Sequence, residues 1–256
     1  MILNGNLINK DIVKKYLNPQ SKVETYFAFH LHTHFSLLDG FSEPIDYLKV
    51  ANDLGISGLG ITEHGNLFSM PYFNLLKKEY SNIKQVIGTE LYESFDMAVK
   101  DKDSKYFHLI CLAKNEKGRI AINEIITKSN KEGFYYKPRI DLKALENYTE
   151  DLIFTSACLD SKLARENDMN KVIEYIEEYK SIMPNFYLEM QSHSSEYQVE
   201  YNRKILELSK LTNTPFVITM DAHASTEKEL EYQSYFVKIA KDMDTAEEIY
   251  EGCYLQ

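Results

Sequence analysis

Seven short runs rich in β-branched and aromatic residues alternate with longer amphipathic stretches, and this alternation limits the folds open to the chain. The runs cover residues 26–31, 57–62, 84–91, 106–113, 151–156, 185–190 and 215–219. Apolar residues recur at helical spacing in the stretches between them, such as NKVIEYIEEYKSIM and EYQVEYNRKILELSKL. Strand–helix alternation predicts a mostly parallel sheet, and seven repeats suit a barrel better than an open sheet. We therefore expect an α/β protein built as a TIM-like β/α barrel.

The composition fits one large domain. Of the 256 residues 44% are hydrophobic, with 19 Tyr and 13 Phe, which is enough for a sizeable core. No low-complexity linker divides the chain, so we expect one domain over 26–256 and a separate, helical N-terminal extension over 1–25. The net charge of −10 works against a broad nucleic-acid-binding face, unless acidic groups are occupied by bound cations.

Cysteine usage and hydropathy predict a cytoplasmic protein with no membrane segment. The cysteines Cys111, Cys158 and Cys253 are too few and too scattered for a disulfide framework, which favours a reducing compartment. The N-terminal residues lack the apolar core and the cleavage site of a signal peptide. No apolar run approaches the roughly 18 residues that a membrane-spanning helix needs.

Side chains of the types that bind metals lie mainly where the predicted strands end. The segment FHLHTHFSLLDG places His30, His32 and His34 at alternate positions, which share one face of an extended chain. The other such residues are Asp39 after the same strand, Glu63 and His64 after the second, Glu90 at the end of the third, His108 inside the fourth, Cys158 after the fifth, and Asp221 and His223 after the seventh. In β/α barrels the C-terminal strand ends form one rim, so these residues are expected to converge there.

This set of side chains suits divalent cations. Imidazole, carboxylate and thiolate together are ligands for zinc, manganese or iron rather than for calcium or magnesium alone. Taken singly, each feature has another explanation: the histidines could be hydrogen-bonded strand residues, 63–66 a turn, Cys158 a small buried residue and Asp221 a helix N-cap. Their shared position favours a multinuclear site, in which ions about 4 Å apart would promote displacement at phosphorus.

Several motifs carry a family resemblance. In chain order they are HLHTHFSLLDG, GLGITEHGNLF, VIGTELY, YFHLICLAKNEKG, KEGFYYKPRID, TSACL, FYLEMQSH and the Asp221–His223 pair. Together they resemble the PHP (polymerase and histidinol phosphatase) domain of bacterial DNA polymerase III alpha subunits, over roughly residues 26–256. The resemblance implies a distorted seven-stranded β/α barrel, the PHP fold, that binds three divalent metal ions (Zn, Mn or Fe). The positions that match the family's nine ligands are His30, His32, Asp39, His64, Glu90, His108, Cys158, Asp221 and His223.

The resemblance also implies an activity. Family members with the full ligand set look like metal-dependent 3′→5′ exonucleases that proofread during DNA replication, so the expected partners are the 3′ end of single-stranded DNA and a replicative polymerase in cis or in trans. The chain has no counterpart of the polymerase palm or fingers, so no polymerase activity is expected. Glu90 and Asp221 are expected to be catalytic, and His193 is a candidate for protonating the leaving group. His34 is expected not to be a ligand.

The segment KEGFYYKPR is a candidate contact for single-stranded DNA, because it interleaves cations with aromatic rings. Its substrate-binding candidates are Lys131, Tyr135, Tyr136, Lys137 and Arg139; a structural loop fixed by Pro138 is the alternative. Two other functions stay open. One is a phosphomonoesterase of the histidinol-phosphatase type, and the other is a non-catalytic domain that stabilises a polymerase.

Overall fold

The computed structural model describes residues 2–3, 6–7, 26–102, 104–193, 195–241 and 252–255. The strands are β1 (Ile2–Leu3), β2 (Asn6–Leu7), β3 (Phe27–Ala28), β4 (Gly58–Ile61), β5 (Lys84–Glu93), β6 (Phe107–Ala113), β7 (Phe134–Tyr135), β8 (Lys137–Ile140), β9 (Leu152–Thr155), β10 (Phe186–Gln191) and β11 (Phe216–Thr219). The helices are α1 (Pro44–Leu54), α2 (Met70–Leu76), α3 (Glu116–Lys131), α4 (Leu142–Leu145), α5 (Lys162–Arg165), α6 (Met169–Ile182), α7 (Glu196–Thr212) and α8 (Glu227–Lys241), with a 3-10 turn at Glu146–Tyr148.

Seven strands form a nearly closed barrel in the order β11-β10-β9-β6-β5-β4-β3, which confirms the predicted fold class. A parallel bridge between Leu31 and Ala222 brings the two ends of this sheet together. The His32 N–H donates to the Ala222 carbonyl at 2.8 Å, and the Ala222 N–H donates to the His30 carbonyl at 3.2 Å. The closure therefore involves the segments just beyond β3 and β11.

One barrel strand runs against the others. β6 pairs antiparallel with both β5 and β9, while β3, β4 and β5 are mutually parallel, as are β9, β10 and β11. The sheet is thus mostly parallel, as expected, with one reversed strand that the sequence pattern did not reveal. Because β6 is reversed, its N-terminal end lies at the rim where its neighbours have their C-terminal ends.

The helices pack outside the barrel. α3, α6 and α7 cover the β6–β9–β10 side, where Ile122, Ile176 and Ile205 are fully buried. Leu48 of α1 and Leu59 of β4 belong to a second apolar cluster. The expected ends of α1 are confirmed, since it begins at Pro44 and is closed by Gly55, whose φ of 71° is readily adopted by glycine. No helix in the described ranges is long and apolar enough to cross a membrane.

Three smaller elements complete the description. β7 and β8 form a short hairpin over residues 134–140, and β8 also pairs with the end of β5. Residues 252–255 run along the segment after β11, with a parallel bridge between Ala224 and Tyr254. In the N-terminal extension, β1 and β2 are an antiparallel pair rather than the expected helix; residues 8–25 lie outside the described residues.

Candidate metal centre

The barrel closure places four candidate ligands together. Because Leu31 and Ala222 pair directly, their sequence neighbours His30, His32, Asp221 and His223 flank the same bridge. Side chains alternate in an extended chain, so His30 and His32 point to the same side. His30 Nε2 lies 3.0 Å from Asp221 Oδ1, and the rings of His32 and His223 stack with centroids 4.6 Å apart.

Glu90 lies at the centre of the group, on the inner face of β5. Its carboxylate is 1% exposed. Five side chains lie within 3.9 Å of it: His64 Nδ1 at 2.7 Å, His108 Nδ1 at 3.2 Å, His30 Nε2 and His32 Nε2 at 3.4 Å, and Cys158 Sγ at 3.9 Å. Five of the other candidate ligands therefore share Glu90 as a neighbour.

Asp39 reaches the group from the loop that follows His32. Its Oδ2 lies 2.7 Å from His64 Nε2 and 3.5 Å from His223 Nε2. The loop is tight, because a Cβ on Gly40 would lie 2.1 Å from the Thr33 carbonyl oxygen. Glycine is needed at this position, directly after Asp39.

His108 and Cys158 complete the set because β6 is reversed. His108 is the second residue of β6 and so lies at the rim, and its Nδ1 is 3.4 Å from Cys158 Sγ. Cys158 follows Ala157, which has a φ of 55°, and Asp221 has a φ of 50°. Such left-handed conformations cost about 1–3 kcal/mol in non-glycine residues and concentrate at functional sites. All nine residues expected from the family resemblance are thus brought together at one rim.

The donor atoms fit divalent cations. Three groups could each hold an ion, with ligand atoms within 4.8 Å of one another: His32, His64 and His223; His30, His32 and Glu90; His64, Glu90 and His108. The buried atoms Asp221 Oδ1 and His64 Nδ1 each face another candidate ligand, His30 Nε2 at 3.0 Å and Glu90 Oε2 at 2.7 Å. Buried charges in proteins are paired or coordinate metals. Asp221 is not a helix cap, since α8 begins only at Glu227.

Hydrogen bonds orient the histidines with one nitrogen towards the centre. His30 Nδ1 donates to Glu189 Oε1 at 2.7 Å, His32 Nδ1 donates to Ser36 Oγ at 2.8 Å, and His223 Nδ1 donates to the Asp221 carbonyl at 2.8 Å. Each bond turns Nε2 towards the centre, where it would be the atom that binds a cation. Outer partners of this kind fix the tautomer of metal-binding histidines.

The charges of the cluster shift its pKa values. Burial opposes protonation of His64, but Glu90 and Asp39 outweigh it and raise the pKa of His64 to about 10. Burial likewise opposes protonation of His30, and Asp221, Glu189 and Glu90 raise its pKa well above 6.5. Without cations, these imidazoles therefore hold protons that neutralise the buried carboxylates.

Sequence reasoning missed the groups that support the ligands. Glu189 is fully buried and accepts hydrogen bonds from His30, Thr155, Thr219 and Gln191. Its position inside the predicted strand 185–190 was the available signal, because a carboxylate in a buried strand needs partners. Glu63, which the sequence analysis placed among the metal-type residues at the rim, has a similar supporting role for His32: its Oε2 accepts from Ser36 Oγ at 2.6 Å.

The cluster opens into a cleft of about 440 Å³. The lining residues outside the nine include Tyr92, Tyr106, Lys137, Arg165, Gln191 and His193. His193 Nε2 lies 2.9 Å from Gln191 Oε1, and Gln191 Nε2 donates to Asp221 Oδ2 at 3.2 Å. His193 is therefore linked to the cluster through one side chain. His34 lies outside the cleft lining and stacks near Phe35.

The candidate DNA contacts fall in different places. Lys137 lines the cleft, with Nζ 5.2 Å from the centre of the Tyr92 ring. Lys131 and Tyr136 are exposed, and Tyr135 is half-buried, away from the cleft lining. Arg139 is 0% exposed and donates to the carbonyls of Gly133, Met97 and Val99. We therefore assign Arg139 a structural role in place of the expected substrate contact.

The fold and this cluster define a β/α barrel with a metal-competent centre at its C-terminal rim. Two solved structures share the fold: a protein assigned as a metal-dependent phosphoesterase from Bifidobacterium adolescentis (TM-score 0.53, 14% identity, 78% of this chain and 88% of that one) and an amidohydrolase from Chromobacterium violaceum with bound sulfate and no metal (TM-score 0.51, 12% identity, 79% and 88%). The sequence profile of the PHP domain matches residues 28–193. The chain belongs to the PHP domain family.

Its similar curated relatives are DNA polymerase III alpha subunits. The subunit of Aquifex aeolicus is 39% identical over 212 residues, which cover 77% of this chain and 18% of that protein. The subunit of Borreliella burgdorferi is 33% identical over 236 residues, covering 87% of this chain and 20% of that protein. The chain thus spans about a fifth of the length of these relatives.

Proposed function

We propose that the protein hydrolyses phosphodiester bonds of single-stranded DNA from the 3′ end, using three divalent ions (Zn, Mn or Fe). One observation carries the proposal: nine donor side chains converge on one rim, around Glu90, and face an open cleft. We infer that it acts with a replicative polymerase in cis or in trans, which the similarity to polymerase III alpha subunits supports. A cytoplasmic location follows from this role.

Bound cations would supply positive charge for the phosphoryl oxygens and lower the pKa of water. The residues of the three groups above, together with Asp39, Cys158 and Asp221, would hold them. Glu90 and Asp221 would contribute negative charge to hold the cations at the reacting centre. His193 is the candidate acid for the departing 3′ oxygen. Its Nε2 donates to Gln191 Oε1 at 2.9 Å, which positions the ring, so the transferred proton would have to come from Nδ1.

Basic groups at the cleft are few. Lys137 and Arg165 line it, and Arg165 is paired with Asp160 at 2.7 Å. With a net charge of −10, the chain should have a weak, salt-sensitive affinity for DNA. This fits a domain that receives its DNA end from a neighbouring polymerase rather than capturing it alone.

The test measures metals and turnover in the same preparation. The purified chain is analysed for metal per protein, then offered 3′-labelled single-stranded DNA and a phosphomonoester with manganese. Release of the label with little monoester cleavage supports the proposal. Monoester cleavage alone would favour the phosphatase alternative, and no cleavage at full metal occupancy would favour a non-catalytic domain.

Glu90→Gln provides the site-specific arm, because it keeps the shape of the side chain and removes its charge. We expect loss of bound metal and of nuclease activity by at least about 100-fold. Glu207→Gln, an exposed change on α7, is the matched control and should behave as the unmodified protein. Near-normal cleavage by the metal-depleted Glu90 variant would contradict the assignment.

A further inference from the structure

Two leucines project from the wall of the metal cleft. Leu37 and Leu38 are 73% and 53% exposed, and both line the cleft next to Asp39. Leu38 has a φ of 65°, a conformation that branched L-residues avoid. Exposure of two adjacent apolar side chains and an unfavourable backbone both oppose folding. Their combination beside a candidate active site calls for a function in binding.

The leucines are held outward by a rigid loop. The N–H groups of Asp39 and Gly40 both donate to the Ser36 carbonyl at 3.0 Å, and Ser36 Oγ donates to the buried Glu63 at 2.6 Å. The Phe41 N–H donates to the His223 carbonyl at 2.9 Å. The loop is therefore anchored on both sides of Leu37 and Leu38, and their position is preorganised.

The cleft lining that does not belong to the metal cluster has a different character. Tyr106 packs edge-on against Tyr92, with ring centroids 5.3 Å apart, and Lys137 Nζ lies over the Tyr92 ring. Arg165 adds a second cation to the same cleft. The cleft thus combines apolar, aromatic and cationic groups around the metal cluster. A group that is flat and apolar on its faces, and attached to a phosphate, matches all three.

We propose that Leu37 and Leu38 contact the base of the nucleotide whose phosphate is cleaved, so that the site selects nucleotide esters with an intact base. This inference rests on the proposed function and narrows its substrate class. Apolar contact accepts every base, because each has an apolar face, so the contact should be indifferent to sequence. A site with this wall discriminates against phosphate esters of small polar alcohols.

The experiment pairs two substrates with four proteins. The substrates are one single-stranded oligonucleotide and the same oligonucleotide with an abasic 3′-terminal residue. The proteins are the unmodified chain, Leu37→Ser, Leu38→Asn and the control Leu211→Ser. Asn tolerates the backbone conformation of Leu38, and Leu211 is 59% exposed on α7 and does not line the cleft. Both kcat/KM and equilibrium binding by fluorescence anisotropy are measured, the latter in metal-free buffer.

The unmodified chain should prefer the intact oligonucleotide by about tenfold in kcat/KM and in affinity. Each leucine variant should lose most of this preference while treating the abasic oligonucleotide as before, with unchanged metal content; Leu211→Ser should keep it. The base contact would be overturned if the unmodified chain had the same kcat/KM and affinity for both oligonucleotides, or if the leucine variants lost kcat/KM equally on both. Either result would leave the nuclease proposal intact. If the unmodified chain neither binds nor cleaves either one, the proposed function fails and this inference with it.

Discussion

Glu189→Gln tests whether a buried carboxylate behind the cluster sets its affinity for metal. Glu189 Oε1 accepts from His30 Nδ1 at 2.7 Å and from Thr219 Oγ1 at 2.6 Å. Glutamine can keep this oxygen, while its amide donates to the hydroxyl of Thr155, which accepts in place of donating. The variant therefore preserves shape and hydrogen bonding, and removes one negative charge.

The magnitude follows from the bond that changes. A hydrogen bond to a charged group contributes about 1.5–3 kcal/mol, whereas a neutral one contributes about 1 kcal/mol. Losing the charge should therefore cost on the order of 1.4 kcal/mol, which is about a tenfold weaker hold on the ion beside His30. This lies at the lower end of the 10–100-fold losses typical for such outer partners of metal ligands.

The assay is competition with a chromophoric chelator, followed by thermal unfolding with and without metal. Thr155→Val is the control, since Thr155 bonds the other oxygen of Glu189 and does not contact His30. It should change the metal affinity much less. If Glu189→Gln bound metal as tightly as the unmodified chain, with an equal rise in melting temperature, then His30 is not tuned by Glu189.

Three further predictions follow. Lys162→Met should lower the free energy of unfolding by about 3–5 kcal/mol, because Lys162 Nζ pairs with Glu93 at 2.7 Å in the interior. Burial raises the pKa of Glu93 although Lys162 opposes it, so the loss of stability measured by urea titration should become smaller as the pH falls and Glu93 gains a proton. A loss of stability that stayed the same at every pH would contradict this. Metal affinity should rise with pH until about 10, the pKa of His64, since cations must displace its proton. Calorimetry in buffers of different ionisation enthalpy should show proton release, and a binding enthalpy that is the same in every buffer would refute this. Arg139→Met should destabilise the fold by at least about 2 kcal/mol, because three carbonyls lose their donor. Its DNA affinity in anisotropy titrations should be unchanged, and a loss of DNA binding without a loss of stability would restore Arg139 as a substrate contact.

Local patterning was sufficient to predict the barrel, and the motifs carried the resemblance to its family. The seven apolar runs became the seven barrel strands, and helices separate most of them along the chain, although none lies between β5 and β6 in the described residues. The direction of β6 was not predictable in this way, since a buried strand has the same pattern in either direction. The hairpin of β7 and β8 was also missed, because strands of two and four residues are too short to show a clear periodicity.

The candidate site was predictable where its residues form short sequence motifs, and less predictable where a residue's role depends on tertiary packing. His30, His32 and the Asp221–His223 pair stand out as motifs. Glu189 and Gln191 lie in the motif FYLEMQSH, but their contacts with His30 and Asp221 form only when β10 packs beside the barrel closure. Arg139 was misplaced for the same reason: its charge suggested a surface contact, but the hairpin buries it against backbone carbonyls.

The bridge between Leu31 and Ala222 has a consequence for how the domain holds together. It joins a segment near the start of the barrel to one near its end, and candidate ligands flank it on both sides. Cations bound at this place would hold the two ends of the barrel sheet together, and their binding free energy would add to the free energy of folding. Variants that lose a ligand should then destabilise the whole barrel. When a chelator removes the cations, the amide hydrogens of the segments around Leu31 and Ala222 should be the first to exchange.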